Sequence, residues 1–141
     1  MKRLHIHIHT DDLDESVRYY EALFGAAPTR READYAKWLL DDPRAHIALS
    51  TGGKAGIEHV GVAVEDDDAL EQIARRIAVA DAPVQPEKQT TCCYAQSNKY
   101  WSHDPQGTVW ELFHTYGDSA EYGAKPQIPA ATDHSCCSPT A

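Results

Sequence analysis

Leu4-His5-Ile6-His7-Ile8-His9 alternates apolar and imidazole side chains, and Asp11-Asp12-Leu13 follows it. Period two makes this a strand with one apolar face and one histidine face. An aspartate just after it suits the N-cap of a helix. The same order restarts at Glu58-His59-Val60-Gly61-Val62-Ala63-Val64, followed by Asp66-Asp67-Asp68. His5 precedes Asp12 by seven positions, and His59 precedes Asp66 by seven. The matched spacing predicts a duplicated unit with His5 and His59 at equivalent places on the open faces of equivalent strands.

The rest of the chain fills out this repeat. Leu13, Val17, Tyr20, Leu23 and Phe24 fall at helical spacing and Gly25 supplies a stop, which predicts a helix over 13–24. Strands are expected near 35–40 and 44–50, with Asp41-Asp42-Pro43 as the turn between them. After the connector Thr51 to Gly56, a strand over 57–64 leads to a helix over 69–79 with Leu70, Ile73, Ala74 and Ile77 on one face. Three strands follow, near 83–87, 94–103 and 108–115, with Asp104-Pro105-Gln106-Gly107 turning between the last two. The predicted class is α+β: two βαβββ modules, about 3–50 and 57–115, forming a curved mixed sheet around a cleft. The expected domain is 1–116. Residues 117–141, rich in small and polar side chains, read as a flexible tail carrying Cys136 and Cys137.

Composition narrows the partners. The chain has 141 residues, one domain's worth, and a net charge of -9. It lacks a basic patch, which argues against nucleic acid. No apolar run approaches the roughly 20 residues that cross a bilayer. The opening Met-Lys-Arg-Leu-His enters a strand pattern without a signal-peptide core, so a cytoplasmic protein is expected.

A third side chain joins the two histidines. Glu111 is a lone acid in Gly107-Thr108-Val109-Trp110-Glu111-Leu112-Phe113. A carboxylate there is costly to bury unless it is paired or bound to metal. His5, His59 and Glu111 are therefore the expected metal ligands. His7 and His9 read as cleft-lining or surface residues, and His46, His103 and His114 as ordinary strand or turn residues.

The four cysteines stand as two adjacent pairs, Cys92-Cys93 and Cys136-Cys137. A disulfide framework spaces its cysteines apart, whereas vicinal thiols suit a soft ligand such as trivalent arsenic. Neighbours in a regular strand point to opposite faces. Cys92 and Cys93 can grip one atom only where the backbone leaves strand geometry, so a loop or bulge is expected there. The plainer alternative is two reduced buried thiols.

His5-x6-Asp12-Leu13-x2-Ser16-x3-Tyr20-x3-Phe24-Gly25, Glu58-His59-Val60-Gly61-Val62 and Asp104-Pro105-x-Gly107-x3-Glu111 resemble the vicinal oxygen chelate superfamily of glyoxalases, bleomycin-resistance proteins and extradiol dioxygenases. Within it, Thr91-Cys92-Cys93-Tyr94-Ala95 with Lys99 and Trp101 is similar to the carbon–arsenic lyases and related cadmium-induced proteins. The resemblance implies an Fe(II)-dependent dioxygenase that cleaves trivalent organoarsenicals, with His5, His59 and Glu111 on the metal. Ni, Zn, Co or Cd are the expected substitutes for iron in crystals. It further implies that Cys92, Cys93, Tyr94 and Lys99 bind substrate, that Cys136 and Cys137 are accessory thiols, that 95–99 can close over the substrate, and that the protein is a homodimer. A metalloid-sequestering protein without catalysis is one alternative. A glyoxalase-type isomerase is another, weakened because His46-Ile47-Ala48-Leu49 lacks the further acid such enzymes use.

Overall fold

The computed structural model describes residues 1–130, so Cys136 and Cys137 lie outside the described residues. Strand β1 (Arg3–His9) leads to helix α1 (Leu13–Phe24), then β2 (Arg30–Arg31), β3 (Tyr35–Asp41) and β4 (Arg44–Ser50). The order repeats as β5 (Gly56–Val64), α2 (Asp67–Val79), β6 (Val84–Cys92), β7 (Ala95–His103) and β8 (Val109–Asp118). These are the two βαβββ modules that the sequence predicts. They share one curled eight-stranded sheet, ordered β2-β3-β4-β1-β5-β8-β7-β6.

Local chemistry sets the element ends. Asp12 caps α1 by accepting from Glu15 N at 2.9 Å, and Asp66 caps α2 by accepting from Ala69 N at 2.7 Å. Gly25 closes α1 in the left-handed conformation. Asp104 Oδ1 accepts from Gln106 N and Thr108 N, which fixes the turn between β7 and β8. The sequence reading missed β2, whose two arginines pair only at the sheet edge with β3. It also started α2 two residues late and ended β6 at Glu87 instead of Cys92.

Each helix covers its own core. Leu13 and Val17 pack with Trp38, Leu40, Ile47 and Leu49, and Ile6 and Ile8 lie against them. Leu70 and Ile73 pack with Val64 and Leu112. Leu4 and Leu23 continue the apolar periodicity but are exposed. The other sheet face carries His5, His7, His59 and Glu111, all buried.

Strand register explains why the histidines meet. β1 and β5 run antiparallel with Ile6 opposite Val60, at the centre of the duplication. His5 and His59 each sit one residue before that pair, so they are diagonal neighbours on one face. β8 runs parallel to β5 with Glu111 beside Gly61. A Cβ at Gly61 would collide with the Glu111 carbonyl oxygen, so only glycine permits this approach. Gly61→Ala is expected to destabilise the fold by about 1–3 kcal/mol and to weaken metal binding, read as a lower urea midpoint and a lower metal affinity.

Candidate metal and thiol site

Three donor atoms converge in the concave face. His5 Nε2 lies 3.3 Å from His59 Nε2 and 3.3 Å from Glu111 Oε2, and His59 Nε2 lies 2.9 Å from Glu111 Oε2. An ion about 2.0–2.2 Å from each donor, at right angles, would space them by about 3.0 Å. Two imidazoles and a carboxylate on one side of an ion leave its remaining positions open.

Each of the three has an outer partner. His5 Nδ1 donates to the His46 carbonyl at 3.0 Å, leaving Nε2 directed inward. His59 Nδ1 donates to Glu58 Oε2 at 3.1 Å, again leaving Nε2 inward. Glu111 Oε1 accepts from Lys99 Nζ at 2.7 Å, while Oε2 faces the histidines. Such partners fix tautomer and ring orientation. Sequence reasoning treated His46 as an ordinary strand residue and gave Glu58 no role in the site. The parallel register of His5 with His46 brings the first into place, and immediate adjacency to His59 was the signal for the second.

The electrostatics favour a cation. Burial alone would lower the basicity of His59, but hydrogen bonds to Glu111 and Glu58 outweigh it and push its pKa up to about 9. Burial works the other way on Glu111, where Lys99, His5 and His59 hold its carboxyl well below the usual range. His7 is pushed down to about 3 by burial and by the neighbouring His59 and His5. It donates or accepts against Ser50 Oγ at 2.7 Å and remains a neutral imidazole.

The thiols open onto the same cavity. Its lining includes His5, His7, Glu111, Lys99, Cys92 and Cys93. Cys93 (φ 57°) and Tyr94 (φ 60°) both adopt left-handed backbone in the two-residue turn between β6 and β7. This is the expected departure from strand geometry, and it brings the sulfurs to 2.9 Å of each other. Non-glycine residues in that region cost roughly 1–2 kcal/mol each, so the surroundings must hold them. Arg30 does so from the first module, donating to the Tyr94 and Ser119 carbonyls at 3.0 and 2.8 Å. The Cys92 thiol donates to Cys93, and with the Tyr122 hydroxyl and Lys99 this lowers the Cys93 pKa although burial opposes it. Cys93 is thus the more acidic thiol of the pair.

Several expectations need correction. Tyr94 does not line the cavity; its hydroxyl donates to Asp34 at 2.5 Å and its ring stacks toward Arg30, so it braces the turn. Residues 95–99 are part of β7, paired with β6 on one side and β8 on the other, and are no loose cover. The chain past residue 116 does not detach at once: β8 runs to Asp118, Gly123 bridges Cys92, and Tyr122 reaches within 3.5 Å of Cys93 Sγ. His114 bonds Asp67 on the outer surface, away from the site.

The duplication also shows what is missing. His7 sits beside Ala48 as Gly61 sits beside Glu111. Ala48 therefore holds the place in the first module that Glu111 holds in the second, and it offers no donor.

A family model described as the Glyoxalase/Bleomycin resistance protein/Dioxygenase superfamily matches residues 2–112. The chain belongs to this superfamily. It is 36% identical to the trivalent organoarsenical cleaving enzyme of Bacillus sp. (strain MD1), over 100% of this chain and 93% of that protein. It is 31% identical to the cadmium-induced protein CadI of Mycobacterium bovis, over 97% of this chain and 93% of that protein. An extradiol ring-cleaving dioxygenase from B. fuscum superposes with a TM-score of 0.61 at 13% identity, over 82% of this chain and 33% of that one, a likeness of fold.

In the metal-free protein a proton on His59 occupies the place of a cation. Below pH about 9 a divalent metal must displace it, so apparent affinity should rise about tenfold per pH unit and then level off above about 9. Calorimetry at pH 7.5 in buffers of different ionisation enthalpy should record about one proton released per metal bound. Glu58→Ala should weaken the same binding by about 10–100-fold.

Proposed function

We propose that this protein cleaves the carbon–arsenic bond of trivalent organoarsenicals with dioxygen, at a ferrous ion held by His5, His59 and Glu111. The observation that carries the reading is the shared cavity. A vicinal thiol pair fit for a soft metalloid opens onto the same space as a two-histidine, one-carboxylate cluster fit for a borderline cation. The relatives named for organoarsenical cleavage align over nearly the whole of both chains and add support.

The chain's own residues account for binding and orientation. Cys93, the more acidic thiol, attacks the arsenic of a methylarsenite diol, its proton leaving with one hydroxyl, and Cys92 follows with its own proton and the other hydroxyl. Two sulfur–arsenic bonds form, two arsenic–oxygen bonds break, and two waters leave. The second bond closes a small ring, so it forms with little further loss of freedom. Lys99, buried between Glu111 and the thiols, offsets the charge of both. The metal, when bound, supplies the activation of dioxygen. Trp101 and Phe113 wall the site: Trp101 meets His59 edge-on at 5.2 Å, and Phe113 meets His5 at 5.0 Å. Both exclude water from the histidines.

The overall balance closes without another reductant. Methylarsonous acid, CH3As(OH)2, and one O2 have the same atoms as methanal and arsenous acid, As(OH)3. Carbon loses four electrons, dioxygen gains four, and arsenic stays trivalent. The cavity of about 40 Å³ admits a methyl group beside arsenic, whereas an aromatic ring must displace part of its lining. The protein acts in the cytoplasm, where thiols stay reduced, and as a homodimer.

Aerobic turnover of methylarsenite by the ferrous protein tests this. The expected products are one arsenite and one methanal per dioxygen consumed, with methylarsenite turned over faster than phenylarsenite. Cys92→Ser or Cys93→Ser should abolish arsenical capture and leave metal bound, and Glu111→Ala should do the reverse. Tight arsenical binding with no arsenite released in air would instead mark a sequestering protein.

A further inference from the structure

We propose that His7, His9 and Glu58 form a second divalent-cation site, outside the His5–His59–Glu111 cluster. The three side chains each offer a ligand atom, and those atoms lie within 4.8 Å of one another. The donor set again pairs two imidazoles with one carboxylate, which suits a borderline cation of the cobalt, nickel or zinc class.

The position of the site follows from the histidine ladder on β1. Alternate residues of a strand share a face, and His5, His7 and His9 stand in file, with ring centroids 6.1 and 5.4 Å apart. His5 and His7 line the inner cavity. His9 and Glu58 line a separate outer cavity of about 260 Å³, beside Thr51 to Gly53 and Lys125. His7 belongs both to the inner histidine group and to the outer trio. With His5, His59 and Glu111 on the inner ion, His7 is left for the outer one.

The outer trio is built, not scattered. Ser50 Oγ bridges His7 Nε2 at 2.7 Å and His9 Nδ1 at 3.1 Å. Glu58 Oε1 lies 2.7 Å from His9 Nε2, while its Oε2 holds His59. Gly53 passes so close that a Cβ there would stand 2.6 Å from the His9 ring. The connector between the modules thereby presses the imidazole into place. Glu58 has one oxygen for each site, so a cation on the trio sits next to the inner one and is repelled by it. The outer site is the weaker of the two.

His9 touches none of the inner donors and none of the thiols, which makes it the discriminating position. Cobalt(II) is titrated anaerobically into the full chain, the His9→Ala protein and the His9→Gln protein, with bound metal counted by calorimetry and by imidazole N–H signals shifted by cobalt. The intact chain is expected to bind one equivalent more than either variant, with at least tenfold weaker affinity than its tightest site. Both variants should keep the tight equivalent, and the shifted His9 signal should be lost. His9→Gln keeps a polar side chain beside Ser50 and Glu58, so agreement between the two variants excludes a folding effect. Equal stoichiometry in all three proteins would overturn the proposal and leave the trio as a hydrogen-bonded network. Loss of the tight equivalent as well would also overturn it, showing that His9 only positions the inner ligands.

Discussion

Glu111 is a carboxylate only 4% exposed in the middle of the last strand, and everything at the site answers to its charge. Left unpaired there it would be prohibitively costly. Lys99 takes one oxygen, and the two inward imidazoles face the other. The lysine is itself buried, so neither member of the pair can leave without stranding its partner. A cation among the donors completes the balance, because a single protein ammonium matches one of the two carboxylates, Glu58 and Glu111, that serve the cluster. The ion pair also ties Glu111 to the thiols, since Lys99 lies in the same cavity as Cys92 and Cys93.

The main architecture was legible because it is carried by short-range signals. Alternation in β1, the aspartate caps and the helical stripes over 13–24 and 69–79 are local, and they repeat. The placement of His5, His59 and Glu111 was legible because equivalent strands of a duplicated sheet must bring equivalent residues together. What failed to show in the sequence depends on distant pairing. β2 is two charged residues held by an edge, with no periodicity to see. His46 acts on His5 only through strand register, and Arg30 acts on the Cys93-Tyr94 turn from the other module. Tyr94 lies in the thiol motif, yet a left-handed turn sends its side chain outward, and spacing alone cannot distinguish the two directions. Leu4 and Leu23 obey the apolar period but remain exposed.

The cross-module contacts give the cleft its rigidity. Arg30 holds the turn of the second module from the edge strand of the first, and Tyr94 returns the contact through Asp34. The segment after β8 adds Tyr122 beneath the sulfurs. The left-handed residues at 93 and 94 are thus braced from three directions, which is what allows non-glycine side chains to stay there.

The thiol turn sets one further condition on any pyramidal atom it holds. Cys92 is buried and Cys93 is the more acidic of the two, so the two sulfurs are inequivalent. An atom bonded to both, with one carbon substituent and a lone pair, becomes a stereocentre. Its two mirror-image arrangements exchange the directions of the carbon and the lone pair, and the asymmetric cavity accommodates them unequally. The protein would therefore impose a handedness on a substrate that has none in solution.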